Sequence, residues 1–157
     1  MVYYLKDGVF YCEDKEVLRL VRNDYFIYST LRILDSNKEV LVKCRLHPWC
    51  SFKFMKIVKQ NLKHWISIEK KNKLYYLITT IDDEKYNITV KTSNNLFSLK
   101  LKGDFIVNNE ERGTVFGKMD DFFNSSYHFE FIEQNKELNF YCMIFFALRY
   151  YYIEDVA

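Results

Sequence analysis

Proline occurs once in the 157 residues and glycine four times. So few breakers exclude a proline-rich linker or a glycine-rich phosphate loop, and reversals of the chain fall to Asn, Asp, Ser and Lys in tight turns. Export is not expected either: Met1-Val2-Tyr3-Tyr4-Leu5-Lys6-Asp7 has neither the basic start nor the apolar stretch of a secretory leader. The expectation is therefore a cytoplasmic protein, at most peripheral to a membrane, whose four cysteines stay reduced. No apolar run reaches the roughly 20 residues needed for a transmembrane segment. Nor is there a nucleophile elbow or a His-Glu-x-x-His pair. The acidic clusters Asp82-Asp83-Glu84 and Asp120-Asp121 fall in turns, where carboxylates are simply solvated. The chain is expected not to be an enzyme, with no catalytic residue and no cofactor. Its net charge, +2, is too small to attract a polyanion by itself.

Aromatic residues are plentiful. Fourteen Phe, 13 Tyr and 2 Trp make 18% of the chain, and such side chains suit a pleated, half-buried surface. From Val2 to about Ile132, short β-branched and aromatic runs alternate with polar clusters every 8 to 12 residues or so, the rhythm of a barrel or sandwich. Phe26–Leu34 pairs with Glu39–Arg45 across Asp35-Ser36-Asn37-Lys38 in one expected hairpin. Leu62–Glu69 pairs with Leu74–Ile81 across Lys70-Lys71-Asn72-Lys73 in another. Further turns are expected at Asp82–Lys85, Ser93–Asn95, Asn108–Gly113 and Asp120–Ser126. Tyr86, Ile88 and Val90 share one face, as do Leu62, Ile66 and Ile68, and Phe97, Leu99 and Leu101.

The alternation stops at Phe140–Leu148, nine consecutive apolar residues. They predict a helix with Asn135 as N-cap, Glu137 in its first turn and Arg149 in its last. Apolar all round, this helix needs protein on every side, which a curled sheet supplies. The predicted fold is mostly β: a single domain over residues 1–157, an antiparallel β-barrel of about twelve short strands enclosing an apolar C-terminal α-helix.

The hairpin Leu31–Lys43, a strand, Asp-turn, strand unit, and the closing Leu138–Ile153 segment resemble the tubby C-terminal-like superfamily, which includes tubby proteins, phospholipid scramblases and LURP-one-related proteins. The resemblance implies a twelve-stranded barrel closed around a central helix, and a non-enzymatic domain. Tubby proteins bind phosphoinositides through basic residues, but no such motif maps residue by residue onto this chain.

Charge is distributed unevenly. Lys53, Lys56, Lys59, Lys63, Lys70, Lys71 and Lys73 are opposed between positions 53 and 73 only by Glu69, a local +6 that leaves −4 for the remainder. Such a segment suits an anionic membrane surface, each basic residue near it adding about 1 kcal/mol, or another polyanion; a protein partner is the other expectation. It equally suits the solvated face and edge of a strand. Phe52, Phe54 and Trp65 interleave with the lysines as base-stacking would require, although a half-buried strand is written the same way, and nucleic acid is the weaker reading. Cys44, His47 and Cys50 have spacing compatible with a soft metal, but the paired Cys-x-x-Cys elements of a zinc site are missing, so no metal is assigned. The function expected is a binding or interaction module. The alternative is a calycin-like barrel with a small apolar ligand in its mouth, which requires an open lumen.

Overall fold

The structure, a computed structural model, describes residues 1–46, 56–95, 100–119 and 125–151. Twelve strands, β1 (Val2–Lys6), β2 (Val9–Cys12), β3 (Lys15–Asp24), β4 (Ser29–Asp35), β5 (Val40–Leu46), β6 (Lys56–Gln60), β7 (Ile66–Lys71), β8 (Leu74–Ile81), β9 (Glu84–Asn95), β10 (Lys100–Val107), β11 (Glu110–Met119) and β12 (Ser125–Phe131), precede helix α1 (Lys136–Phe146). All pairings are antiparallel, in the spatial order β6-β5-β4-β3-β2-β1-β12-β11-β10-β9-β8-β7. The sheet curls into a barrel around α1, and β6 and β7 remain its two unpaired edges.

Those edges are bridged by one side chain instead of a ladder. The Gln60 amide nitrogen donates to the Ile66 carbonyl at 2.9 Å, and the Ile66 N–H donates to the Gln60 amide oxygen, also at 2.9 Å. A primary amide reproduces the donor and acceptor of a peptide group, so Gln60 satisfies backbone polarity that would otherwise be left at the seam.

The turns follow from the scarcity of glycine. Glu13-Asp14, Asn72-Lys73, Asp82-Asp83 and Asn108-Asn109 each place two successive residues at φ between 48° and 68°. Two-residue loops with both residues at positive φ match the right-handed twist of a hairpin, and Asn and Asp tolerate that region best after glycine. These turns are tighter than expected. Lys70 and Lys71 therefore belong to β7, paired with Tyr75 and Leu74. Ser93, Asn94 and Asn95 are not a turn; they pair with Lys102, Leu101 and Lys100 inside β9 and β10, ladder pairing overriding the turn propensity of the residues. Phe26 precedes β4 instead of opening it, because the Tyr25 N–H donates to the Tyr28 carbonyl at 2.8 Å and closes a loop there. Residues 97 and 99, and most of the expected turn at 120–126, lie outside the described residues.

Inward positions alternate with outward ones. Tyr3 and Leu5 of β1, Phe105 and Val107 of β10, and Tyr127, Phe129 and Phe131 of β12 are buried. Eight of the eleven residues of α1 are buried, along with Ala147 and Leu148 in the π-helical turn that follows. Phe146 sits edge-on to Phe129 and Tyr127, both ring centroids 5.0 Å away. Each such side chain contributes roughly 1.5–3 kcal/mol by leaving water. Gly117 makes this packing possible: a Cβ there would lie 2.5 Å from the Ser126 carbonyl oxygen and collide with the Tyr127 ring. The Asn135 side chain caps α1 by accepting from the Leu138 N–H at 3.1 Å, and Asn139, buried just before the apolar run, donates to the Glu133 carbonyl at 3.2 Å. The lumen is filled by helix side chains.

Candidate anion-binding face

On β4 and β5 the inward residues Leu31, Ile33, Val42 and Cys44 are fully buried, which turns Arg32, Lys43 and Arg45 outward. The register then aligns them with the edge strand. Arg32 stands opposite Lys43, and Lys43 opposite Lys59; one row along, Arg45 stands opposite Lys56. A β-bulge between Lys43 and Cys44 keeps both rows on the outer face, because Cys44 pairs with Ile57 and the extra residue is Val58. The result is five cations on three adjacent strands, in directly paired positions. Like charges placed opposite one another in a sheet destabilise it. Among the described residues, none of the five forms an ion pair with a carboxylate. The Nε atoms of Arg32 and Arg45 are buried with no hydrogen-bond partner among the described residues, and the Arg45 guanidinium lies 4.7 Å over the Tyr28 ring. Among the described residues, no carboxylate compensates this positive charge.

The lysines singled out in the sequence are divided by the fold. Lys56 and Lys59 join this face. Lys63 lies in the β6–β7 connection, its ammonium 3.6 Å from Glu137 of α1. Lys70 and Lys71 lie on the other edge strand and Lys73 in the turn after it, with Lys70 5.5 Å from the Tyr75 ring centroid and Lys71 3.5 Å from Glu69. Lys53 lies outside the described residues, as do His47, Cys50, Phe52 and Phe54. Cys44 points into the core, where burial pushes its thiol up to about 12, so at neutral pH it is a neutral hydrophobe and not a thiolate ligand. Sequence reasoning missed Arg32, Lys43 and Arg45. Each is isolated among apolar neighbours, and only strand register assembles them.

Two other clusters are held by their own contacts. His64 Nε2 lies 2.6 Å from Glu137 Oε1, while the Tyr141 hydroxyl accepts from the His64 N–H at 3.0 Å and donates to its carbonyl at 3.3 Å. Burial pushes the Tyr141 phenol up. The cluster ties the β6–β7 connection to α1 and borders a depression of about 630 Å³ at the N-terminal end of the helix. On the outer face of β1, β12 and β11, His128 lies 5.1 Å from both Tyr4 and Phe116, along a shallow groove of about 1060 Å³.

No described helix is long and apolar enough to cross a membrane. Compared with known proteins, the chain matches no family model, no curated protein and no solved structure.

Proposed function

We propose that this chain is a non-enzymatic binding module whose outer β4–β6 face addresses anionic lipid headgroups. The observation that carries this reading is the pairing of Arg32, Lys43 and Lys59 in one row and Arg45 with Lys56 in the next, with no carboxylate partner among the described residues. A sheet keeps like charges opposite each other at a cost, and an external anion offsets that cost. The barrel around a C-terminal helix is also the architecture implied by the tubby C-terminal-like resemblance, which supports a binding role over a catalytic one. A small apolar ligand in the barrel mouth is favoured less, because Tyr141, Phe145 and Phe146 occupy the volume it would need.

Co-sedimentation with vesicles tests the proposal. Wild type should pellet with phosphatidylcholine vesicles containing phosphatidylserine, less so as salt rises, and should ignore vesicles of phosphatidylcholine alone. Replacing both Lys43→Glu and Lys59→Glu should weaken binding by at least about tenfold, since each basic residue near the surface is worth about 1 kcal/mol. The pair Lys70→Glu and Lys71→Glu, on the other edge strand and already engaged by Tyr75 and Glu69, should weaken it less. Failure of wild type to pellet at low salt overturns the proposal, and equal losses from the two pairs overturn its placement on this face.

A further inference from the structure

The connection between β3 and β4 carries Tyr25, Phe26 and Ile27 at its tip, and they are 53%, 99% and 56% exposed. A fully exposed Phe between two half-exposed apolar neighbours is not explained by folding, which gains nothing from it. The tip is nevertheless ordered by its own contacts. The Tyr25 N–H donates to the Tyr28 carbonyl at 2.8 Å, and the two tyrosine rings stack with centroids 4.8 Å apart and planes 27° apart. Beneath them, Asp24 accepts from Arg22 Nε at 2.9 Å and from the Ser29 hydroxyl at 2.8 Å, which neutralises the one acid at the base of the loop. The Tyr25–Tyr28 contacts pre-form the tip's backbone, which reduces the entropy lost when it docks.

The tip is continuous with the basic face. Arg45, in the row with Lys56, covers the Tyr28 ring at 4.7 Å. Exposed aromatic residues beside a cluster of cations are the chemistry of the bilayer boundary, where rings settle at headgroup depth and basic side chains meet lipid phosphates. A second copy of the chain fits less well, because docking tip to tip would bring Arg45 and Lys56 of both copies together.

We infer that Tyr25-Phe26-Ile27 inserts between the headgroups of the anionic bilayer to which the β4–β6 face binds, so that the barrel docks with the β3–β4 tip leading. The inference rests on the headgroup reading above and adds depth and orientation to it. Charge supplies the salt-sensitive part of the affinity, and Phe26 the part that survives salt.

Vesicles of phosphatidylcholine and phosphatidylserine, with and without bromine on the acyl chains, test both at once using the full chain. Phe26→Asp should still bind at low salt but bind at least about tenfold more weakly than wild type at high salt, where screening leaves the apolar contribution exposed. Phe26→Trp should gain fluorescence that brominated acyl chains quench beyond the quenching seen with wild type, whose own tryptophans are the control. If Phe26→Asp matches wild type at high salt and Phe26→Trp gains no quenching, insertion is overturned, while a loss by Lys43→Glu with Lys59→Glu keeps the headgroup reading. If the charge-reversed pair binds as wild type but Phe26→Asp does not, the headgroup reading falls, and the docked orientation inferred here falls with it. Should wild type ignore anionic vesicles even at low salt, both fall, and an acidic protein surface becomes the partner to test. Circular dichroism of each variant separates lost binding from lost fold.

Discussion

Strand β4 ends in two connections of opposite chemistry. After it, Asp35-Ser36-Asn37-Lys38 is polar, and the Asp35 side chain is consumed in building the turn: its carboxylate accepts from the N–H groups of Asn37 and Glu39, both at 2.9 Å, while the Lys38 N–H donates to the Asp35 carbonyl at 3.0 Å. Before it, Tyr25-Phe26-Ile27-Tyr28 closes with one backbone bond and turns its central side chains to solvent. The first connection follows the local preferences of a hairpin turn, apart from a lysine at positive φ. The second breaks the rule that apolar runs are covered. Where one strand is joined by both kinds, the broken rule marks what the fold itself does not require.

Mutations should separate the two connections, the largest effect falling on the polar one. Asp35→Ala leaves two backbone donors without their acceptor and should lower stability by about 1–2 kcal/mol, read as a lower urea midpoint at unchanged slope. Phe26→Asp should stay within about 0.5 kcal/mol of wild type in the same assay, as an exposed side chain does. Comparable losses at both positions would erase the distinction drawn between them. A smaller effect of opposite sign is expected at Lys38, whose φ of 65° suits glycine better than lysine. Lys38→Gly should raise stability by about 0.5–1 kcal/mol, the amount typical when a residue's strain exceeds the entropy that glycine adds to the unfolded chain. Destabilisation would mean that the lysine stem contributes packing at that turn.

The polar turn was legible from its residues, and so was the helix, because Asn135 and the run Phe140–Leu148 state a cap and a buried segment without reference to anything distant. The barrel was legible as alternation. Strand ends were less so: Lys70, Lys71 and Ser93–Asn95 read as turn residues locally, and only their ladder partners hold them extended. The basic face was half visible. Lys56 and Lys59 lie inside a lysine-rich window, whereas Arg32, Lys43 and Arg45 are single cations spaced by apolar residues. Their alignment depends on a four-residue turn and two bulges, at Leu41 and at Val58, that fix register, quantities that composition does not carry. The apolar tip was misread for a related reason: Phe26 looks like the first residue of a strand until the Tyr25–Tyr28 bond places it before one.

The smallest expected effect lies at the base of the apolar tip. The Ser29 hydroxyl and then the Arg22 guanidinium hold the Asp24 carboxyl below its ordinary unfolded-chain value, which is about 3.9. A carboxyl depressed in the folded state adds stability above its unfolded value and gives that stability up as pH falls through the folded one. Asp24→Asn should therefore be slightly less stable than wild type at neutral pH, and the gap between their urea midpoints should close as the pH drops below about 4. Because Asp24 is 60% exposed, solvent screening keeps the gap small, and added salt should narrow it further at neutral pH. A gap that persisted at low pH would assign the support of the tip to packing instead of charge, and the variant's vesicle binding at high salt would then show whether an uncharged base holds Phe26 out equally well.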